Sequence, residues 1–208
     1  MKLSSIARHR VLVATRNSGK FQEMLELMWP DFELLRREVA SDAPEIEEKG
    51  DTFEINARLK AEGVSKFFPG WVLAEDSGIE VDALHGAPGV YSARFAGTKA
   101  TDAQNRTLLL KCLEDLRIPK KRRTARLCCA LALARSGRTV FTSSGAVEGK
   151  IAREERGDGG FGYDALFLPT GSARTFAELP TAVKNRISHR RNAIIELCRR
   201  WSTKMKRL

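Results

Sequence analysis

A short polar segment separates a buried-strand pattern from an amphipathic helix pattern early in the chain. It reads Thr15-Arg-Asn-Ser-Gly-Lys20 and is followed by apolar residues at helical spacing from Phe21 to Met28. The first backbone N–H groups of a helix and the helix dipole favour an anion, so this turn is a candidate phosphate site. It is not a Walker A loop, because Phe21 stands where that motif requires Ser or Thr. An ordinary capped helix with an exposed Lys20 is the alternative interpretation.

Carboxylates follow a later strand pattern. Glu75-Asp-Ser-Gly78 comes directly after the predicted strand Trp71 to Ala74, where a carboxylate can hold a metal ion or orient a water molecule. Glu45, Glu47 and Glu48 belong to an acidic loop and could complete a carboxylate cluster. Oxygen ligands of this kind suit a hard ion such as magnesium. A turn-forming Asp-Ser-Gly segment and a solvated acidic loop are the alternatives.

Two groups in the second half of the chain suit a nucleotide. Phe161-Gly-Tyr-Asp164 places aromatic faces in a glycine-rich frame, which suits stacking against a base. Lys184, His189 and Arg190 lie near the start of the last helix pattern, where they could contact phosphate or base. A tight turn anchored by two buried rings and a basic helix end are the corresponding alternatives.

Strand and helix patterns alternate in the first half of the chain, and the second half is rich in strands. Ser136-Gly137 separates the two later strand patterns and predicts a hairpin. The expected fold is therefore α/β with a mixed sheet. The predicted strands are 10–15, 32–35, 71–74, 126–134 and 138–147. One helix is predicted directly after Gly19, and two more are predicted over 52–68 and 101–116. A last helix is predicted at the end of the chain, with Ile194, Cys198, Trp201 and Met205 on one stripe.

The composition is that of a folded protein. The 208 residues are 42% hydrophobic, which predicts one compact unit, or one core with two lobes, and excludes disorder. No segment approaches the roughly 20 apolar residues of a membrane helix, and Met1 to Arg10 lacks an apolar signal core. We expect a soluble, unexported, cytoplasmic protein. Because the four cysteines show no CxxC spacing and there are three histidines, a zinc cage is not expected.

The net charge of +10 raises the question of nucleic-acid binding. Arg117 to Arg126 and Lys184 to Leu208 together hold 15 basic residues and one acidic residue, so the rest of the chain is mildly acidic. A solvated loop and a basic final helix account for this pattern, and a polyanion-binding tail is the alternative. No RRM, KH or helix-turn-helix signature is present, so nucleic acid is not expected as a partner.

The motifs together resemble the inosine triphosphate pyrophosphatase family, the noncanonical purine NTP pyrophosphatases. The resemblance runs from Val11 to about Leu197, with the motifs in the family's order. It implies an elongated α/β fold with a mixed sheet, flanking helices and two lobes around a nucleotide cleft, usually as a homodimer. It also implies conversion of ITP, dITP or XTP and water into the monophosphate and pyrophosphate. The matching segments are Thr15–Lys20, Thr52-Phe53 with Asn56-Ala57 and Lys60-Ala61, Ala74–Gly78, Gly86–Arg94, Gly159–Asp164 and Ile187–Arg190.

Carried onto the matching positions, the family pattern implies a triphosphate cradle, a magnesium site and a set of nucleotide contacts. Asp76 would be the catalytic carboxylate, and Glu48 and Asp76 would bind Mg²⁺. Lys60 and Arg94 are additional candidates. The implied substrate contacts are Thr15, Arg16, Asn17, Ser18, Gly19, Lys20, Ser77, Phe161, Gly162, Tyr163, Asp164, Lys184, His189 and Arg190.

The resemblance implies one two-lobed domain over residues 1–208, with a short N-terminal extension at 1–9 and a basic tail at 202–208. Two departures stand out: Ala165 replaces the proline usual after Tyr-Asp, and residues 180–183 lack the usual acidic residues. Neither changes the phosphate or metal positions. A pyrophosphatase for other modified nucleotides, such as pyrimidines, and a basic nucleic-acid-binding protein on the same scaffold are the alternative functions. No membrane partner is expected.

Overall fold

The computed structural model describes residues 9–28 and 32–205. It contains six strands, β1 to β6, and five α-helices, α1 to α5, within those ranges. The strands are β1 His9–Val13, β2 Phe32–Leu35, β3 Trp71–Val81, β4 Thr124–Arg135, β5 Arg138–Ile151 and β6 Phe167–Pro169. The helices are α1 Ser18–Leu27, α2 Phe53–Ser65, α3 Asp102–Asp115, α4 Thr181–Ile187 and α5 His189–Met205.

The six strands form one mixed sheet in the order β2-β1-β3-β4-β5-β6. β1 pairs in parallel with β2 and with β3, whereas β5 and β6 pair antiparallel. The predicted hairpin is confirmed: Ser136 and Gly137 alone connect β4 to β5, and both have positive φ angles, of 52° and 75°. Two successive positive φ angles give a turn whose twist matches that of the strands it joins.

The chain divides into two compact units. The first comprises the described residues up to 75 together with 130–143 and 194 onward, and the second comprises 76–129 and 144–193. The core of the first unit includes Leu12, Val64 and Val72. The core of the second includes Ile79, Leu109 and Phe167. Burial of such side chains is the main favourable term in folding each unit.

β3 is longer than its sequence pattern predicts. The expected strand ended at Ala74, but the observed strand continues through Glu75, Asp76 and Ser77 to Val81. The placement of these residues just past a strand end is therefore wrong. The strand continues because Ile79 and Val81 are completely buried, and extended backbone places them in the core.

Helix α5 continues into the region expected to be a basic tail. It ends at Met205, so residues 202–205 are helical, while 206–208 and the first eight residues of the expected N-terminal extension lie outside the described residues. Trp201 packs edge-on against Trp71 and Phe32, with ring centroids 5.0 and 5.6 Å away. The predicted buried stripe is confirmed at Ile194, Cys198 and Trp201. No helix among the described residues is long and apolar enough to cross a membrane.

Candidate active site

The turn between β1 and α1 is organised by its own side chains. The Asn17 side chain caps α1, its Oδ1 accepting from the Lys20 backbone N–H at 2.9 Å. The backbone N–H of Asn17 in turn donates to Thr15 Oγ1 at 3.2 Å. Both bonds fix the start of a helix, the position at which backbone N–H groups favour an anion. The Asn17 side chain therefore holds the turn as well as being a candidate substrate contact.

Lys20 is paired with Glu75, a contact that the sequence did not predict. Its Nζ lies 3.4 Å from Glu75 Oε1, and the Glu75 side chain has no exposed surface. β1 and β3 run parallel with Val13 paired with Leu73, so the residues after Val13 and the residues after Leu73, which include Glu75, lie at the same end of the two strands. Sequence spacing gave no signal for the pair, because its members lie on different elements 55 positions apart.

The acidic loop separates its glutamates. Glu48 Oε1 lies 2.9 Å from Lys60 Nζ, and both side chains are less than one-third exposed. Glu45 instead pairs with Arg16, and Glu47 with Lys49, on the exposed surface. Of the three glutamates, Glu48 is therefore the one that is partly buried.

Arg37 holds the start of the acidic loop. Its guanidinium is buried and donates to the backbone carbonyls of Ala40 and Ala43, the second at 2.6 Å. Burial lowers the pKa of Arg37 below its ordinary value. A buried guanidinium bonded to these two carbonyls fixes the chain that leads to Glu48. Sequence reasoning missed this residue, since an isolated arginine carries no motif.

Asp76 is a buried carboxylate, 5% exposed, and Ser77 beside it is partly buried. The next residue, Gly78, lies against Ser92, whose Oγ a Cβ at position 78 would overlap. Ser92 Oγ also accepts from the Ile79 backbone N–H at 2.9 Å. The close approach at Gly78 thus holds the strand that carries Asp76.

No group of three or more His, Cys, Asp and Glu side chains able to hold a metal ion is found within 9–28 and 32–205. Glu48 and Asp76 belong to different units. Each nevertheless provides carboxylate oxygens, the donor type that magnesium prefers, and a magnesium site completed by substrate phosphates needs only one or two protein carboxylates. The donor chemistry of these two residues therefore fits the ion.

The loop from Phe161 to Asp164 is tied to Lys184. Asp164 Oδ2 accepts from Lys184 Nζ at 2.5 Å and from the Phe161 backbone N–H at 2.9 Å. The Lys184 ammonium and the Arg190 guanidinium lie 5.1 and 5.6 Å from the Phe161 ring centre. Both distances permit cation–π attraction. The second unit thus brings four of the predicted nucleotide contacts together.

Tyr163 is buried within the same loop. Its hydroxyl donates to the backbone carbonyl of Ser92 at 2.8 Å. Burial raises the pKa of the Tyr163 phenol above its ordinary value. The structure therefore fits the alternative of a turn anchored by a buried ring for Tyr163, whereas Phe161 is only partly buried.

His189 and Arg190 begin α5 and are 6% and 1% exposed. These two residues of a basic helix end are therefore buried rather than solvated. Gly145 of β5 allows the helix to approach, because a Cβ there would overlap the His189 carbonyl oxygen and the Ala193 nitrogen. Arg94, the remaining candidate of the second unit, stacks over Tyr91 at 5.2 Å.

A sequence model of the Ham1 family matches residues 11–200. The chain belongs to the Ham1 family. It is 50% identical over 191 residues to a dITP/XTP pyrophosphatase of Exiguobacterium sibiricum, an alignment that covers 90% of this chain and 94% of the relative. It is 44% identical to the dITP/XTP pyrophosphatase of Bacillus subtilis, over 92% and 96% of the two chains. A Ham1 protein structure from Coxiella burnetii matches with a TM-score of 0.83 and 38% identity, over 96% and 100% of the two chains.

Membership of the Ham1 family confirms the resemblance stated from the sequence motifs, and the match to a solved Ham1 structure confirms the α/β fold. The Ham1-family match spans all six motifs. Two contacts described above could not be predicted from the sequence motifs. Arg37 belongs to none of the motifs, and the motif that contains Glu75 does not show that Lys20 is its partner.

Proposed function

We propose that this protein hydrolyses noncanonical purine nucleoside triphosphates, ITP, dITP and XTP, to the monophosphate and pyrophosphate. The observation that carries the proposal is the 50% identity, over 90% of this chain, with a protein named dITP/XTP pyrophosphatase. In a cell this reaction removes abnormal purine nucleotides from the nucleotide pool.

Each unit contains groups that suit one part of a nucleotide. In the first, Lys20 and the capped turn at Asn17 suit the phosphates. In the second, the Phe161 ring with Lys184 and Arg190 beside it suits a base. The remaining predicted contacts, including Thr15, Arg16, Ser18, Gly19, Ser77 and His189, belong to the same proposal.

Hydrolysis places a water molecule against the α-phosphorus while pyrophosphate leaves, so the protein must neutralise the triphosphate and orient one nucleophile. We assign the first task to Lys20 and the backbone N–H groups of the 15–20 turn. Asp76 performs the second, as the base that accepts the proton of the water, as a magnesium ligand, or as both. The carboxylate oxygens of Asp76 and those of Glu48 are the groups proposed to bind magnesium, which would supply positive charge for the triphosphate. We further propose that the protein is cytoplasmic and forms a homodimer. Sedimentation of the purified protein tests the dimer, and cell fractionation tests the location.

The deciding experiment measures pyrophosphate and orthophosphate separately over a panel of nucleoside triphosphates, with and without Mg²⁺ and in the absence of inorganic pyrophosphatase. We expect Mg²⁺-dependent pyrophosphate release from ITP, dITP and XTP, and little from ATP. Orthophosphate without pyrophosphate would overturn the proposal. Preference for a modified pyrimidine would favour the alternative pyrophosphatase, and polyanion binding without turnover would favour a nucleic-acid-binding protein.

A further inference from the structure

We propose that Asp102 and Arg106 are positioning residues that hold the backbone N–H and C=O of Gly162 and thereby fix the base-contacting loop Phe161 to Asp164. The proposal rests on the proposed function, because it assigns these two residues a part in base selection. Neither belongs to a motif on which the family resemblance depends.

The two side chains form hydrogen bonds with both backbone polar groups of Gly162. The Gly162 backbone N–H donates to Asp102 Oδ2 at 2.7 Å, and its carbonyl accepts from an Arg106 Nη at 2.8 Å. Asp102 and Arg106 are four residues apart in α3, so both lie on the face of the helix that meets the loop. A bond in which one partner is ionised is stronger than a bond between neutral groups.

Gly162 is a position where the loop needs outside support. Its φ of +60° lies in the left-handed region, and the residue belongs to neither a helix nor a strand. Asp102 and Arg106, which we call the α3 clamp, supply the two backbone hydrogen bonds that a helix or a strand would otherwise provide.

Arg106 is itself held in place. A second Nη lies 2.9 Å from Glu155, and the Arg106 side chain is 17% exposed. Asp102 is exposed, and α3 does not depend on it for a cap, because Thr101 and Gln104 form a complete capping box. Helix α3 can therefore keep its start when the Asp102 carboxylate is changed.

Gly162 lies between Phe161, whose ring meets Lys184 and Arg190, and Tyr163, whose hydroxyl is bonded to Ser92. Loss of the two hydrogen bonds to Gly162 lets the Phe161 ring shift relative to Lys184 and Arg190. A misplacement of about 1 Å at a reacting or binding group can cost about 10²-fold in rate. In the proposed function the loop contacts the base, whereas the phosphates are held by the 15–20 turn. The loss in kcat/KM should therefore reduce discrimination between bases.

The experiment compares Asp102→Ala with Asp102→Asn, which keeps an oxygen acceptor for the Gly162 N–H. Steady-state kcat and KM are measured for ITP and ATP, with thermal unfolding of each variant. We expect Asp102→Ala and Arg106→Ala to lower kcat/KM for ITP about tenfold or more, mainly through KM, and to lower the ITP to ATP ratio. Asp102→Asn should restore most of the loss. Asp115→Ala, an exposed acid at the far end of α3, serves as the matched control.

The double variant Asp102→Ala/Arg106→Ala gives a second readout. Since both side chains bind the backbone of one residue, Gly162, the loss in kcat/KM of the double variant should be smaller than the product of the two single losses. An unchanged ITP to ATP ratio in Asp102→Ala, or the same loss in Asp115→Ala, would overturn the proposal.

Amide hydrogen exchange at Gly162, followed by NMR without nucleotide, separates failure of this proposal from failure of the proposed function. Faster exchange in Asp102→Ala but not in Asp102→Asn supports the clamp whichever nucleotide is hydrolysed. Unchanged exchange overturns the clamp even if the protein hydrolyses ITP.

Discussion

Lys20 Nζ lies 3.4 Å from Glu75 Oε1, so the cation proposed to meet the triphosphate already contacts a fully buried carboxylate. Such a contact restricts the lysine side chain, which otherwise loses considerable rotamer freedom on binding. Lys20 is 19% exposed at its side chain and thus stays accessible to a ligand. Glu75 is accordingly a positioning residue for Lys20.

Lys20→Ala should lower kcat/KM for ITP and ATP by the same factor, of about 10²-fold, because it removes a cation from phosphates that both nucleotides share. Steady-state kinetics with both nucleotides tests this. A change in the ITP to ATP ratio would show that Lys20 senses the base.

Arg190→Ala should instead lower kcat/KM for ITP far more than for ATP and so collapse the ratio. Hypoxanthine and xanthine present an acceptor at O6 where adenine has an amino group, and a fixed guanidinium donor favours the acceptor. A site built to hydrogen-bond its substrate can reject a mismatched analogue by about 10⁴-fold. Since Arg190 is buried, thermal unfolding must accompany the kinetics, with exposed Arg186→Ala as the control. If the ratio survives, base reading belongs to backbone groups or to the Phe161 to Asp164 loop.

Asp76→Asn should lower kcat by about 10²- to 10⁴-fold while leaving the fold intact, because it keeps the side-chain volume and removes the charge needed by a base or a metal ligand. Single-turnover measurements with ITP test this. The exposed Asp115→Asn variant should retain full activity. Near-normal turnover in Asp76→Asn would mean that the catalytic carboxylate lies elsewhere.

Deletion of the residues after Trp201 should leave ITP hydrolysis nearly intact, since they lie outside every motif. Trp201→Ala should lower the free energy of unfolding by about 3–5 kcal/mol, because it empties the centre of an aromatic cluster. Urea unfolding and kinetics compare the two variants. A large loss of kcat/KM in a folded truncated protein would place the tail at the active site.

If the tail binds duplex DNA, log affinity should fall with log salt by about 0.9 per phosphate neutralised.

Tyr163 should make folding weaken with increasing pH above about pH 10, the ordinary tyrosine pKa. Its pKa is raised in the folded protein, so the unfolded chain loses the phenolic proton first and gains stability relative to the folded state. The urea midpoint of the wild type should therefore fall more steeply above that pH than the midpoint of Tyr163→Phe. Parallel curves for the two proteins would contradict the burial argument.

The sequence predicted those elements whose pattern is local. Phe32–Leu35 is observed with the predicted bounds, and the Ser136-Gly137 turn is where the glycine and the two flanking strand patterns indicate. Asn17 and Thr52 cap α1 and α2 as their side chains allow. These features depend on neighbours within a few residues.

The sequence could not predict features that depend on a distant contact. Asn56 belongs to a matching motif, but the motif does not show that its side chain is completely buried, with Oδ1 accepting from the Gly50 backbone N–H at 2.8 Å. β3 was expected to end before Glu75, since acidic residues and glycine are typical of turns. Its continuation depends on the hydrogen bond from the Ile79 N–H to Ser92, 13 residues away.

Gly145 has a consequence for the evolution of the protein. The φ angle of Gly145 is not positive, so its backbone conformation does not require a glycine. It is required because any side chain would displace the first turn of α5, which carries His189 and Arg190. A mutation in a strand with no catalytic group can thus alter nucleotide preference. Variation in base preference between relatives therefore need not arise from residues that touch the base.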